Sequence, residues 1–131
     1  MPCLEIPIVM VKSMRKEEVR TEKDVVRFLS EARKTEFEQK VLVATFRIPT
    51  GKVSTYKRIA EKAGYPRAYR AAANALHRNP LAPIVPCHRV VRSDGKFGGD
   101  SKDAESRRML VEEEGVPMRK DSVRINENIL Y

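Results

Sequence analysis

Apolar positions recur at helical spacing through much of this chain, and the pattern breaks wherever glycine or proline intervenes. After Thr21-Glu22-Lys23-Asp24, residues Val25, Val26, Phe28, Leu29 and Ala32 fall on one side of a helix. Thr35-x-x-Glu38 has the form of a capping box, and Phe37, Val41, Leu42, Ala44 and Thr45 carry the spacing on to the turn cluster Pro49-Thr50-Gly51. Ser54 is the expected N-cap of a short helix through Ala63, with Gly64 as its left-handed stop. Pro66 suits the first turn of a further helix, Arg67 to His77, which is rich in alanine and halts before Pro80. Two short helices joined by a glycine-containing turn predict a helix-turn-helix.

Past Pro80 the pattern changes. Leu81 to Val91 is apolar and interrupted by Pro83 and Pro86, which predicts buried, extended backbone. Ser93-Asp94-Gly95 reads as a turn and Phe97-Gly98-Gly99 as a flexible loop. Ser101 or Asp103 is expected to cap a last helix through Met109, Leu110 and Val111, running to Glu114 and stopping at Gly115. The tail alternates at Val123-Arg124-Ile125 and ends on an apolar cluster, Ile129-Leu130-Tyr131. Residues before Thr21 read as an extended or frayed tail. These elements predict a mainly α fold (α+β), organised as a short N-terminal extension over 1–34 and one domain over 35–131.

Composition narrows the classes. No apolar run approaches the roughly 20 residues of a membrane span. The patch Leu4 to Val11 is broken by Glu5 and Pro7 and has no cleavage site after it, so a signal peptide is not expected, and a cytoplasmic location is. Two cysteines, Cys3 and Cys87, are too few for a disulfide framework. Cys87 and His88 are adjacent while His77 stands apart, so no metal site and no cofactor are expected.

The formal charge of +8 matters once it is located. From Arg47 to Arg92 there are ten basic residues and one acid, Glu61, with Tyr56, Tyr65 and Tyr69 interleaved. A solvated basic face explains such a block in many proteins. Stacking groups among the cations, next to a reactive thiol, instead suit a surface that follows phosphates, and point to nucleic acid as the partner. The alanines at 68, 71, 72, 73 and 75 are either helix filler or a bare ridge able to approach a nucleic-acid backbone, with Arg67 and Arg70 projecting from it.

The chemistry sits in Pro86-Cys87-His88-Arg89-Val90. A free thiol has a pKa of about 8.5, so a nucleophilic cysteine needs a base or a positive field. His88 is an adjacent base, and Pro86 presents the thiol on defined backbone.

Taken in order, Pro49 to Tyr56, Gly64-Tyr65-Pro66-Arg67-Ala68-Tyr69-Arg70, Asn79-Pro80, Pro86 to Val90 and Glu114-Gly115 resemble the C-terminal, DNA-binding and catalytic domain of O6-alkylguanine-DNA alkyltransferases, the methylated-DNA–protein-cysteine methyltransferases. The resemblance covers residues 36 to 131. It implies a winged-helix-like helix-turn-helix fold, a monomer, and duplex DNA bound through the minor groove. It further implies that Cys87 takes an alkyl group irreversibly from a flipped guanine. His88 would act as its base through a water, and Glu114, rather than its neighbours Glu112 and Glu113, would orient the imidazole. Tyr56 would rotate the phosphate of the extruded nucleotide and hydrogen-bond the base, and Asn79 would be a hinge. Arg70 would be the finger that fills the vacated stack. Arg67, Tyr69, Ala71, Ala73, Asn74, Ser54 and Thr55 would contact DNA. Val85, Pro86, Val90, Gly99, Asp100, Ser101 and Lys102 would shape the substrate pocket.

The loop departs from the family pattern. Asp100 stands where an aromatic is usual, Lys102 and Asp103 replace glycines, and Arg107 replaces the lysine of the final helix. An acid near the thiol disfavours the thiolate, and a bulkier loop narrows the pocket. A second expectation therefore stands beside transfer. Alkyltransferase-like relatives lack the cysteine, bind alkylated or deaminated bases and recruit a repair-factor partner.

Overall fold

A computed structural model describes residues 14–131; Cys3 and the Leu4–Val11 patch lie outside the described residues. The chain forms five α-helices among these residues: α1 (Glu22–Glu31), α2 (Glu36–Phe46), α3 (Tyr56–Lys62), α4 (Tyr69–His77) and α5 (Ser101–Glu113). Four two-residue strands accompany them: β1 (Ser54–Thr55), β2 (Val90–Val91), β3 (Met118–Arg119) and β4 (Ser122–Val123). The fold is mainly α with small β elements, of the winged-helix-like helix-turn-helix type.

Both predicted helix starts in the first half form as complete capping boxes. Thr21 accepts from the Asp24 amide, and Thr35 from the Glu38 amide, while each acid reaches back to the cap. Gly64 ends the α3 turn at φ +93°, a conformation a β-carbon disfavours. Val25, Leu29, Leu42, Ile59 and Leu76 are fully buried where α1 to α4 meet. Burying a side chain of this size contributes about 1.5–3 kcal/mol relative to leaving it exposed.

Strands β1 and β2 pair in parallel, Ser54 opposite Val90 and Thr55 opposite Val91. The pair sits between two cores. Val90 packs with the α1–α4 core, while Val91 turns toward Val53, Phe97, Val111, Val116 and Val123. The period of two in a strand sends neighbouring side chains to opposite faces, so two residues connect both halves. Strands β3 and β4 form a hairpin after α5, with Met118 opposite Val123.

Several boundaries differ from the sequence expectations. Ser54 lies in β1, and Thr55 is the cap of α3, accepting from the Arg58 amide at 3.2 Å. Helix α4 begins at Tyr69, with Pro66 and Arg67 in the preceding turn, because the Ala68 amide bonds the Tyr65 carbonyl first. Asp100, not Ser101 or Asp103, caps α5; its carboxylate accepts from the Asp103 amide at 2.9 Å. Residues 81–85 turn repeatedly and Cys87–Arg89 form a 3-10 turn, so the prolines bend most of this segment; only Val90 and Val91, in β2, are extended as expected. Lys16–Glu18 form a 3-10 turn ahead of α1, where an extended tail was expected.

Candidate active site and nucleic-acid interface

The backbone that presents Cys87 is tightly determined. Pro86 has φ −81° and ψ 70°, an inverse γ-turn in which the Cys87 amide donates to the Val85 carbonyl at 2.8 Å. Asn79 Nδ2 donates to that same carbonyl at 2.8 Å, and the Asn79 Oδ1 accepts from the Leu81 amide at 2.9 Å. One side chain thus joins the end of α4 to the turn carrying the thiol.

His88 is buried, and its Nε2 lies 3.0 Å from Glu114 Oε2 at the end of α5. Arg89 grips the same carboxylate, donating from Nε to Oε1 and from Nη2 to Oε2, both at 2.8 Å. Its third nitrogen donates to the Ile48 carbonyl at 2.8 Å, tying the assembly to the end of α2. Burial raises the Glu114 carboxyl, but the hydrogen bonds from Arg89 and His88 outweigh it and hold the group below the ordinary carboxylate value. An ionised Glu114 only accepts, so the neutral imidazole carries its proton on Nε2. Nδ1 is left with the lone pair. Glu112 and Glu113 are exposed and make no such contact with His88.

Arg89 belongs to the basic block and to the Pro86–Val90 run, with no role expected of it, yet its guanidinium is largely withdrawn from the surface and engaged by Glu114, Ile48 and Thr50. Its adjacency to His88 was the available signal. Arg47 is likewise bound to Glu22, at 2.6 Å. The ten-residue block is therefore not wholly a surface.

A cavity of about 230 Å³ opens on Cys87 and His88 and is lined also by His77, Asn79, Asp103 and Arg107. Asp103, not Asp100, lines the cavity that holds the thiol. Gly99, Asp100, Ser101 and Lys102 do not line this cavity; all four are exposed, Gly99 and Asp100 ahead of α5 and Ser101 and Lys102 at its start, while Asp103, also exposed, borders the cavity's rim. Val85, Pro86 and Val90 are buried and do not line it either. His77, expected to stand apart, lies in the cavity. Its Nε2 is 3.3 Å from the Tyr56 hydroxyl, which Arg107 Nη1 approaches at 3.4 Å. Burial raises the Tyr56 phenol, with Arg107 pulling against the rise and Cys87 adding to it. Tyr56 also lines a cavity of about 530 Å³ with Lys57, Tyr69 and Arg92.

Arg70, Ala71 and Asn74 share the exposed face of α4 with Tyr69, while Ala72, Ala75 and Leu76 face the core; Ala73 is half-buried and Arg67 is exposed in the turn before. The alanines thus divide between the two readings, filler inside and a low ridge outside. Ser54 and Thr55 do not join that face. Both are buried, Ser54 donating to the Tyr131 carbonyl and Thr55 capping α3. Among the described residues no group of three His, Cys, Asp or Glu side chains could hold a metal ion, and no helix is long and apolar enough to cross a membrane.

Residues 36–116 match the family described as 6-O-methylguanine DNA methyltransferase, DNA binding domain. A methylated-DNA–protein-cysteine methyltransferase of Methanosarcina barkeri is 47% identical over 77 residues, 59% of this chain and 49% of that protein. The chain thus spans about half the length of the curated relatives it matches. The crystal structure of Mycobacterium tuberculosis O6-methylguanine methyltransferase is similar at TM-score 0.58 and 42% identity, over 61% of this chain and 48% of that one. The structure of S. pombe Atl1 in complex with damaged DNA containing O6-carboxymethylguanine is similar at TM-score 0.63 and 32% identity, over 73% of this chain and 94% of that one.

Proposed function

Because the chain belongs to the 6-O-methylguanine DNA methyltransferase family through its DNA-binding domain, we propose that it repairs O6-alkylguanine in duplex DNA by irreversible transfer of the alkyl group to Cys87. The observation that carries this reading is the Cys87-His88-Glu114 arrangement, in which Glu114 occupies Nε2 and leaves Nδ1 with its lone pair, and His88 shares a cavity with Cys87. The thiol proton passes through a water to His88 Nδ1, and the ionised Glu114 stabilises the imidazolium that forms. The sulfur bonds to the alkyl carbon as the carbon–O6 bond breaks. Its electron pair stays on the guanine, which takes a proton from the Tyr56 hydroxyl. The thioether is stable, so each molecule reacts once.

In this reading the outer face of α4 enters the minor groove. Ala71 and Ala73 allow close approach, and Arg70 fills the stack left by the flipped nucleotide, which offsets part of a flipping penalty of a few kcal/mol. The protein acts as a monomer without a cofactor, in the cytoplasm. A short extension over 1–34 ahead of a domain over 35–131 is part of this reading, with α1 of the extension packed into the same core as α2 to α4.

Two observations favour a second reading. The likeness to Atl1 extends over 94% of that chain, and Asp103 sets an acid in the cavity beside Cys87. Lesion recognition without transfer, followed by recruitment of a repair factor, is the outcome that reading predicts. Intact-protein mass after incubation with O6-methylguanine duplex separates the two. A gain of one methyl that Cys87→Ala lacks supports transfer; lesion-selective binding at unchanged mass supports recognition alone.

A further inference from the structure

We infer that His77 is a positioning residue that aims the hydroxyl of Tyr56 and connects it to solvent for proton exchange. The inference rests on the transfer reading, in which guanine leaves as an anion and needs a proton. Tyr56 is buried, so water does not readily replenish its hydroxyl. Two groups reach that oxygen: Arg107 Nη1 at 3.4 Å and His77 Nε2 at 3.3 Å. Bonds of this length in an unliganded site commonly tighten once substrate binds. A guanidinium does not give up its proton under these conditions, whereas an imidazole can donate at one nitrogen while accepting at the other. His77 sits at the last position of α4 with part of its ring exposed. It therefore spans the buried phenol and the outside.

The local packing is built around this pair. The two rings meet edge to face with centroids 6.1 Å apart. Gly98 passes so close that a β-carbon there lies 2.5 Å from the Tyr56 hydroxyl and 3.1 Å from His77 Nε2. The groups facing His77 are Tyr56 from α3 and Asp103 and Arg107 from α5, with Cys87 and His88 in the same cavity. Burial lowers the His77 pKa and Arg107 lowers it further, against an opposing pull from Asp103. The ring is neutral at neutral pH. As a neutral ring with Nε2–H toward Tyr56, His77 and Arg107 fill the two lone pairs of the phenol oxygen and leave its own O–H to be aimed at the substrate. When Tyr56 gives that proton to the departing guanine, His77 passes its Nε2 proton to the phenolate and takes another at Nδ1 from water. The hydroxide left is neutralised in solvent by the proton that His88 took from the thiol, so atoms and charge balance.

The test measures single-turnover methylation of Cys87 by mass in the wild type, His77→Ala, Tyr56→Phe and the double variant, with DNA affinity and thermal melting as controls. His77→Ala is expected to slow transfer at least about tenfold, within what a positioned proton donor contributes. It should add nothing to Tyr56→Phe, and imidazole in the buffer should restore part of its rate while leaving Tyr56→Phe slow. A His77→Ala protein that reacts as fast as wild type overturns the inference. So does one that is slow, additive with Tyr56→Phe and indifferent to imidazole, since that is the behaviour of a packing defect. A wild type that takes no methyl from the duplex overturns the transfer reading itself, and this inference with it.

Discussion

His88 Nε2 and Glu114 Oε2 lie 3.0 Å apart across 26 positions of sequence, and Arg89 holds the same carboxylate from the other side with two hydrogen bonds of 2.8 Å. The imidazole is therefore locked in one tautomer by an acid that is itself locked in place. Both the chemistry and the junction between the end of α5 and the thiol turn pass through Glu114.

Glu114→Gln should slow Cys87 alkylation by roughly 10²-fold, the low end of what a positioned acid–base group contributes. It should also change the pH dependence of stability. The folded Glu114 pKa lies below its ordinary value of 4.5. Its contribution is thus complete above the unfolded value and is lost as pH falls through the folded one. Melting temperatures from pH 7 to pH 3 should show the wild type losing its advantage over Glu114→Gln in the acid range. A constant gap would contradict the linkage.

Asn79→Ala removes both bonds that tie α4 to the Val85 carbonyl and the Leu81 amide. A loss of about 1–3 kcal/mol in chemical denaturation is expected, because two partly buried backbone groups lose partners. Transfer should slow while affinity for undamaged DNA is retained, measured by anisotropy on the same preparation.

Much of this scaffold was readable because its signals are local. The Thr21-Asp24 and Thr35-Glu38 boxes and the Gly64 stop depend on residues a few positions apart, and all three form. The β1–β2 pair was not readable. Two residues carry no period, and Ser54 looks like a helix cap until its parallel partner Val90 is known. The resemblance placed Cys87, His88 and Glu114 together, whereas His77 looked isolated because its approach to Tyr56 depends on how α4 packs against α3. Asp100 and Asp103 exchanged expected places for a similar reason. A capping job turned the first outward, and the geometry of α5 brought the second to the cavity.

Gly98→Ala should impair transfer without unfolding the domain. The added methyl meets the Tyr56 hydroxyl and His77 Nε2, at the end of side chains, while the backbone at Gly98 needs no positive φ. Slower alkylation with a melting temperature within a few degrees of wild type is the expected result.

Arg70→Ala should slow repair of duplex DNA far more than reaction with free O6-methylguanine, because only the duplex has a stack to refill. Equal losses on both substrates would remove the finger role. Binding to undamaged duplex should weaken steeply with salt, with a smaller slope in the variant, since exposed Arg70 releases counterions on binding.

The most direct measurement is peptide-level mass spectrometry after reaction with duplex DNA carrying an isotopically labelled O6-methyl group. The account predicts one labelled methyl on the peptide containing Cys87, in stoichiometric amount, formed once per molecule and strongly slowed in His88→Ala. An unlabelled Cys87 peptide from protein that binds the lesion duplex would contradict it.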